Sequence, residues 1–190
     1  MSKNYIQDQN FDNINFLENE ILHAEYDNCT FINCVFTNTN LSDINFEECH
    51  FRDCDFSNAK ITNTAFKEVQ FVNCKLIGLQ FDECNPFLLG FQFVDCQLNL
   101  SSYYQLKIKD SFFKNCNLQE VDFTESDLSG SQFINCNLLG SMFENTILEK
   151  VDFRTSINYS INPELNRIKK AKFSMNGIVG LLNKYDIEID

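Results

Sequence analysis

Cys54-Asp55-Phe56-Ser57-Asn58-Ala59-Lys60-Ile61-Thr62-Asn63 contains one five-residue phrase twice. A small residue comes first, then a polar one, then a large apolar one, then two small polar ones. Outward from this stretch the large residue keeps its step of five. It runs from Phe11 through Phe16, Ile21, Tyr26, Phe31 and onward to Phe81, which makes 15 consecutive slots. The phase slips by two residues across 82–92, resumes at Phe93 and runs 13 more slots to Phe153. All 28 slots hold Phe, Leu, Ile or Tyr, and 16 of the 20 Phe sit in them. A period of five matches neither the 3.6 of a helix nor the 2 of a plain strand. One large and one small apolar residue per five fits a narrow solenoid with a polar wall, and repeats of this kind take precedence over local propensity.

The number of sides follows from the cysteines. All nine fall in the phase of the small position: Cys29, Cys34, Cys49, Cys54, Cys74, Cys84, Cys96, Cys116 and Cys136. A separation of 20 occurs five times among them and a separation of 15 once, so four pentapeptides make a coil. If the slip bulges out of one coil, one column reads Phe11, Phe31, Phe51, Phe71, Phe93, Phe113, Phe133, Phe153. The next side carries Cys34, Cys54, Cys74, Cys96, Cys116 and Cys136 in the same register. The fold expected is all-β: a four-sided parallel β-helix over residues 1–160, with the register slip at 82–92. Residues 161–190 leave the pattern. There Asn162 and Pro163 read as the N-cap and first position of a helix. Ala171–Phe173 reads as a short strand, and Ser174 as the cap of a second helix over Met175–Lys184. That helix would close the open end of the coil, which otherwise offers unpaired strand groups.

Composition narrows the function. The chain has 190 residues, 27 acids, 15 Lys and Arg, and a net charge of −12. A hydrophobic fraction of 44% excludes disorder. The acidity excludes a nucleic-acid binder that works through phosphate contacts. No apolar run nears the roughly 18 residues of a membrane span. The first residues contain no apolar stretch of a signal peptide, so the expected location is cytoplasmic and the cysteines are expected to be thiols. Their spacing does not make a zinc knuckle. His23 and His50 fall on different walls with no nucleophile beside them. No glycine pattern forms a phosphate loop. No enzyme, cofactor or metal centre is therefore expected.

Sorting the charges by side concentrates the acidity. The third side carries Glu20, Asp43, Asp82, Glu83, Asp122, Glu125 and Glu144 against Lys60 alone. The fourth carries Glu25, Asp27, Glu47, Glu48, Glu68, Asp110, Asp127 and Glu149 against Lys67, Lys107, Lys109 and Lys150. Fifteen acids thus face five bases on these two sides. Seven coils at about 4.8 Å make a rod of about 34 Å. Duplex DNA of that length presents about 20 phosphate charges, one per ~1.7 Å. The two acidic sides supply about half that density.

Blocks such as Ala59–Asn63, Cys54–Asn58 and Ser126-Asp127-Leu128-Ser129-Gly130 resemble the repeat of the pentapeptide-repeat family, A-(D/N)-(L/F)-x-x, over roughly residues 9–155. The resemblance implies a right-handed, four-sided β-helix. The tail, through Ile161–Asn166, Gly177–Leu182 and Ile187-Glu188-Ile189, is similar to that of the gyrase-protecting Qnr and MfpA type of bacterial proteins. That implies a non-enzymatic DNA mimic that binds DNA gyrase or topoisomerase IV and protects it from quinolones or toxins. It also implies a homodimer through the tail, for which Phe173, Ile178, Leu181, Leu182, Tyr185 and Ile187 are the candidate contacts. Direct nucleic-acid or membrane binding is not implied. A structural or adaptor solenoid with an unrelated protein partner is the alternative.

Overall fold

The computed structural model describes residues 4–188; Ile189, the last residue of the tail resemblance, lies outside them. The chain is a right-handed, four-sided parallel β-helix. Two sides form ladders regular enough to be sheets. The fourth side stacks β1 (Asn4–Gln7), β3 (Ala24–Asp27), β5 (Asn45–Glu47) and β7 (Ala65–Lys67). The first side stacks seven strands: β2 (Asn10–Asp12), β4 (Thr30–Ile32), β6 (His50–Arg52), β8 (Val69–Val72), β9 (Phe91–Val94), β10 (Phe112–Lys114) and β11 (Gln132–Ile134). Single parallel bridges such as Asp55↔Lys75 and Asp122↔Met142 tie the remaining walls.

The large slots form the core by stacking on themselves. In the first-side column successive rings lie 4.6–5.6 Å apart, from Phe11–Phe31 to Phe153–Phe173. Rings of opposite sides meet edge to face across the interior, as Phe113 and Phe123 do at 84°. Both geometries suit the aromatic quadrupole. The small slot does more than leave room. Its side chain donates to the carbonyl of a large residue 23 positions back, one coil below. Cys116 Sγ reaches Phe93 O at 3.5 Å, Thr146 Oγ1 reaches Phe123 O at 2.9 Å and Ser156 Oγ reaches Phe133 O at 2.8 Å. Cys, Ser and Thr share the slot because each is small and carries one donor.

The corners explain how a chain with six glycines turns so often. The second residue after nearly every large slot has a positive φ, for example Asn33 at 51°, Asp53 at 55° and Asn73 at 52°. Asn and Asp tolerate this left-handed region better than other residues with a Cβ. One coil apart, these corner side chains also bond to each other, as Asn73 Nδ2 to Asp53 Oδ1 at 2.5 Å and Asn115 Nδ2 to Asp95 Oδ1 at 2.8 Å.

Residues 82–92 slip as the columns require. Pairing moves from a separation of 20 to 22, with Phe71 opposite Phe93. A 3-10 turn over Phe81–Glu83 leads into a loop that exposes Phe87 and Leu88. Phe91, buried, fills the vacated interior and lies 5.8 Å from Phe66.

The C-terminal segment departs from expectation. No helix starts at Asn162–Pro163. Asn162 Oδ1 instead caps a turn at Glu164 N, 3.0 Å away, and the chain goes on coiling. Ile147↔Arg167 and Asp152↔Lys172 are bridges of one more coil, past the expected boundary at 160. Phe173 is the ninth ring of the first-side column, 5.6 Å from Phe153. The expected second helix is two short 3-10 turns, Asn176–Leu181 and Asn183–Tyr185. Gly177 and Gly180 explain the tight winding. A Cβ at Gly180 would stand 2.3 Å from the Tyr159 carbonyl oxygen, and one at Gly177 would strike the Tyr159 ring. Three residues per turn puts both glycines on one line, so the turn lies flat on Tyr159.

Candidate acidic interaction surface

The acids of the third and fourth sides stand on corners and walls, so geometry separates those held by neighbours from those that face water. On the fourth side, Lys67 Nζ lies 3.0 Å from Glu47, and Lys109 Nζ lies 3.1 Å from Asp127. Asp127 is buried and also caps its own turn, accepting from Ser129 N at 3.1 Å. Asp27 accepts from the Tyr5 hydroxyl at 2.5 Å, a bond that raises the Tyr5 pKa to about 12. Glu25 accepts from Asn45 Nδ2 at 3.3 Å. Glu48 and Glu68 are exposed on adjacent coils of one corner, and Glu149 is half-buried.

The third side differs. Glu20, Asp82, Glu83, Asp122, Glu125 and Glu144 enter no ion pair among the described residues. Its acids are steadied by neutral groups instead. Asn63 donates to Asp43 at 2.7 Å, Thr62 to Glu83 at 2.7 Å and Gln105 to Glu125 at 2.7 Å. Asp122 accepts from Thr124 N at 2.8 Å. One corner column reads His23, Asp43, Asn63, Glu83, Gln105, Glu125, Asn145. Acid alternates with amide, so like charges stand two coils apart, about 9.6 Å. Their mutual repulsion is reduced while the full negative charge stays on the surface. Glu20 and Glu144 are exposed; Asp82 is half-buried, with one carboxylate oxygen shielded from water.

On the other two sides Asp152 and Asp55 are paired with bases. Arg154 holds Asp152 at 2.7 Å and lowers the Asp152 pKa, with Lys172 3.8 Å away. Lys75 faces Asp55 at 3.9 Å.

The tail residues do not share one face. Phe173 and Leu181 pack on the core and Leu182 is half-buried. Ile178, Tyr185 and Ile187 are exposed, and so are Met175 and Val179, which the sequence reading passed over. Lys184 and the Tyr185 hydroxyl both reach Glu164, at 2.5 and 3.1 Å, and Lys184 lowers the Glu164 pKa. Sequence reasoning also missed the Tyr159 clasp. Its signal was the spacing of Gly177 and Gly180.

The thiols off the column from Cys34 to Cys136 are not activated. All nine are free and buried, and burial pushes Cys49 up to about 12 and raises Cys29 and Cys84. Such thiols are poor nucleophiles at neutral pH.

The family model described as the pentapeptide repeat region matches residues 24–86 and 89–160, breaking at the exposed pair Phe87 and Leu88. The chain belongs to the pentapeptide-repeat family. Among solved structures, this pentapeptide-repeat rod is similar to a trypsin-treated variant of QnrB1, a plasmid-mediated fluoroquinolone resistance protein. That likeness covers 100% of this chain and 95% of that one, at 16% identity and a TM-score of 0.56. It is equally similar to HetL, a pentapeptide-repeat protein involved in heterocyst differentiation regulation from the cyanobacterium Nostoc sp. strain PCC 7120. There 90% of this chain and 88% of that one are covered, at 13% identity and a TM-score of 0.57. At these identities both show the fold alone. No curated protein matches the chain. Among the described residues, no helix is long and apolar enough to cross a membrane.

Proposed function

We propose that this protein is a non-enzymatic DNA mimic that occupies the DNA-binding groove of a type II topoisomerase, DNA gyrase or topoisomerase IV, and shields the enzyme from a poison. The carrying observation is the third side, where seven acids stand against one base and Glu20, Asp82, Glu83, Asp122, Glu125 and Glu144 enter no ion pair among the described residues. A groove built to bind phosphates is lined with Lys and Arg, and a wall with this excess of acids over bases competes for it through the same field. The likeness to QnrB1, itself a fluoroquinolone resistance protein, is in keeping with this reading at the level of fold. A tail-to-tail homodimer doubles the wall to about 70 Å, using about 4.8 Å per coil.

The test is a gyrase supercoiling assay with and without a quinolone. The wild-type protein is expected to alter supercoiling or its inhibition at micromolar concentration. Replacing Glu20, Asp43, Glu83, Asp122, Glu125 and Glu144 by their amides should weaken that effect at least tenfold. No effect of wild type on gyrase or topoisomerase IV removes the reading. The adaptor alternative draws on the fourth side, where Glu47 and Asp127 are paired with lysines as on an ordinary protein contact surface. A biological phenotype left unchanged in the six-amide variant, with no effect of wild type on gyrase or topoisomerase IV, would favour it.

A further inference from the structure

The thiol ladder has a use that packing leaves open. Cys34, Cys54, Cys74, Cys96, Cys116 and Cys136 stand one per coil in one column. Each Sγ lies 3.4–3.5 Å from the carbonyl below it. Bridges such as Asp55↔Lys75 hold successive rungs in register, so neighbouring sulfurs repeat at the coil spacing of about 4.8 Å. That is close to twice a metal–thiolate bond of about 2.3 Å. A cation midway between two rungs therefore meets two sulfurs on a straight line at ordinary bond length, with the backbone in place. Among the described residues no three metal-ligating side chains converge, which leaves two-coordinate binding as the geometry on offer.

A second observation supplies the approach. A hollow of about 240 Å³ opens in the wall over two rungs. Cys54 and Cys74 line it, with Asp53, Asp55 and Asp95 around them and Lys75 as its one base. Three carboxylates at the rim favour a cation. The geometry points to a binding site for a soft, linear two-coordinate cation between Cys54 and Cys74, repeated at other adjacent rungs. Soft thiolates select such cations over hard ones. With a divalent ion such as Hg(II), two S–H bonds break, two S–metal bonds form and two protons leave to water. No electron is transferred, and the product is neutral, as an apolar interior requires.

The test uses mercuric chloride on the reduced full-length protein, followed by dialysis against 2-mercaptoethanol. Two variants keep four thiols each. One retains adjacent rungs Cys54, Cys74, Cys96 and Cys116. The other retains Cys34, Cys74, Cys84 and Cys116, with no two on neighbouring coils. All other cysteines become Ala, which already fills the slot at Ala24 and Ala59. The first is expected to keep two mercuric ions per chain and the second none. Equal retention overturns the proposal. The wild type gives an independent measurement should a variant fail to fold. Its mercury complex should keep the native circular dichroism and melt at higher temperature, and unfolding on mercury addition overturns the proposal too.

Discussion

At the scale of the residue, the fold depends on corners that strain most amino acids. Among the described residues, twenty-six non-glycine residues have positive φ. Asn and Asp hold most of these corners at modest cost. Leu100, at φ 62° and more than half exposed, has no such excuse. A left-handed L-residue costs roughly 1–2 kcal/mol, and Asn recovers part of that. Leu100→Asn should therefore stabilise the protein by about 0.5–1 kcal/mol in urea denaturation with an unchanged slope, and destabilisation would refute the strain argument. The corner positions were visible in the sequence as a polar column. Their handedness was not, because Glu48, Gln105 and Lys150 occupy the same conformation as Asn33 and share no local propensity with it. Neighbouring coils impose that backbone through hydrogen bonds such as Glu48 N to Lys67 O at 2.9 Å.

At the scale of the element, the last coil and its cap show where pattern reading stopped short. Asn166-Arg167-Ile168 and Ala171-Lys172-Phe173 keep the small–polar–large phrase, 20 residues beyond Thr146 and Val151. Asn162-Pro163-Glu164 nonetheless carries a helix-start signature. Long-range pairing outweighed it: Leu148 N bonds Arg167 O at 2.8 Å and Phe153 N bonds Lys172 O at 2.9 Å. Asn166 fills the small slot as Ser or Thr would, donating to Phe143 O at 2.7 Å. The cap is then held by close backbone approach, with Ile161 N bonding Gly180 O at 2.9 Å. Gly180→Ala should release it, because the Tyr159 carbonyl belongs to the coil and cannot yield. We expect a loss of about 2 kcal/mol or more, with faster amide exchange confined to Ile161 and residues 176–185. Uniform exchange across the rod would mean the cap is not a separate element.

At the scale of the whole molecule, charge and apolar surface are divided. The third side has seven acids against one base, whereas the first has Asp12, Asp53, Asp95 and Asp152 against Arg52, Lys114 and Arg154. Exposed Met175, Ile178, Val179, Tyr185 and Ile187 gather in the C-terminal cap. Clustered apolar exposure of this kind marks an association surface. For a tail-to-tail homodimer, Ile178→Asp with Val179→Asp, both at exposed positions, should halve the mass in sedimentation equilibrium, and an unchanged mass would remove the tail from the assembly. Of the candidate surface, the sequence revealed which side each acid occupies. It did not reveal that Glu47 and Asp127 are paired with lysines 20 and 18 residues away, because reach and rotamer, not spacing alone, decide an ion pair.

By itself the sequence determined the period, the four sides, the Phe and Cys columns and the slip, since each follows from which residues can fill a narrow interior. The tertiary structure decided the rest: the extra coil to Phe173, the 3-10 cap on Tyr159, and that Glu47 and Asp127 are paired with lysines. Those depend on contacts a full coil or more apart in the chain, where packing and hydrogen bonding override local preference.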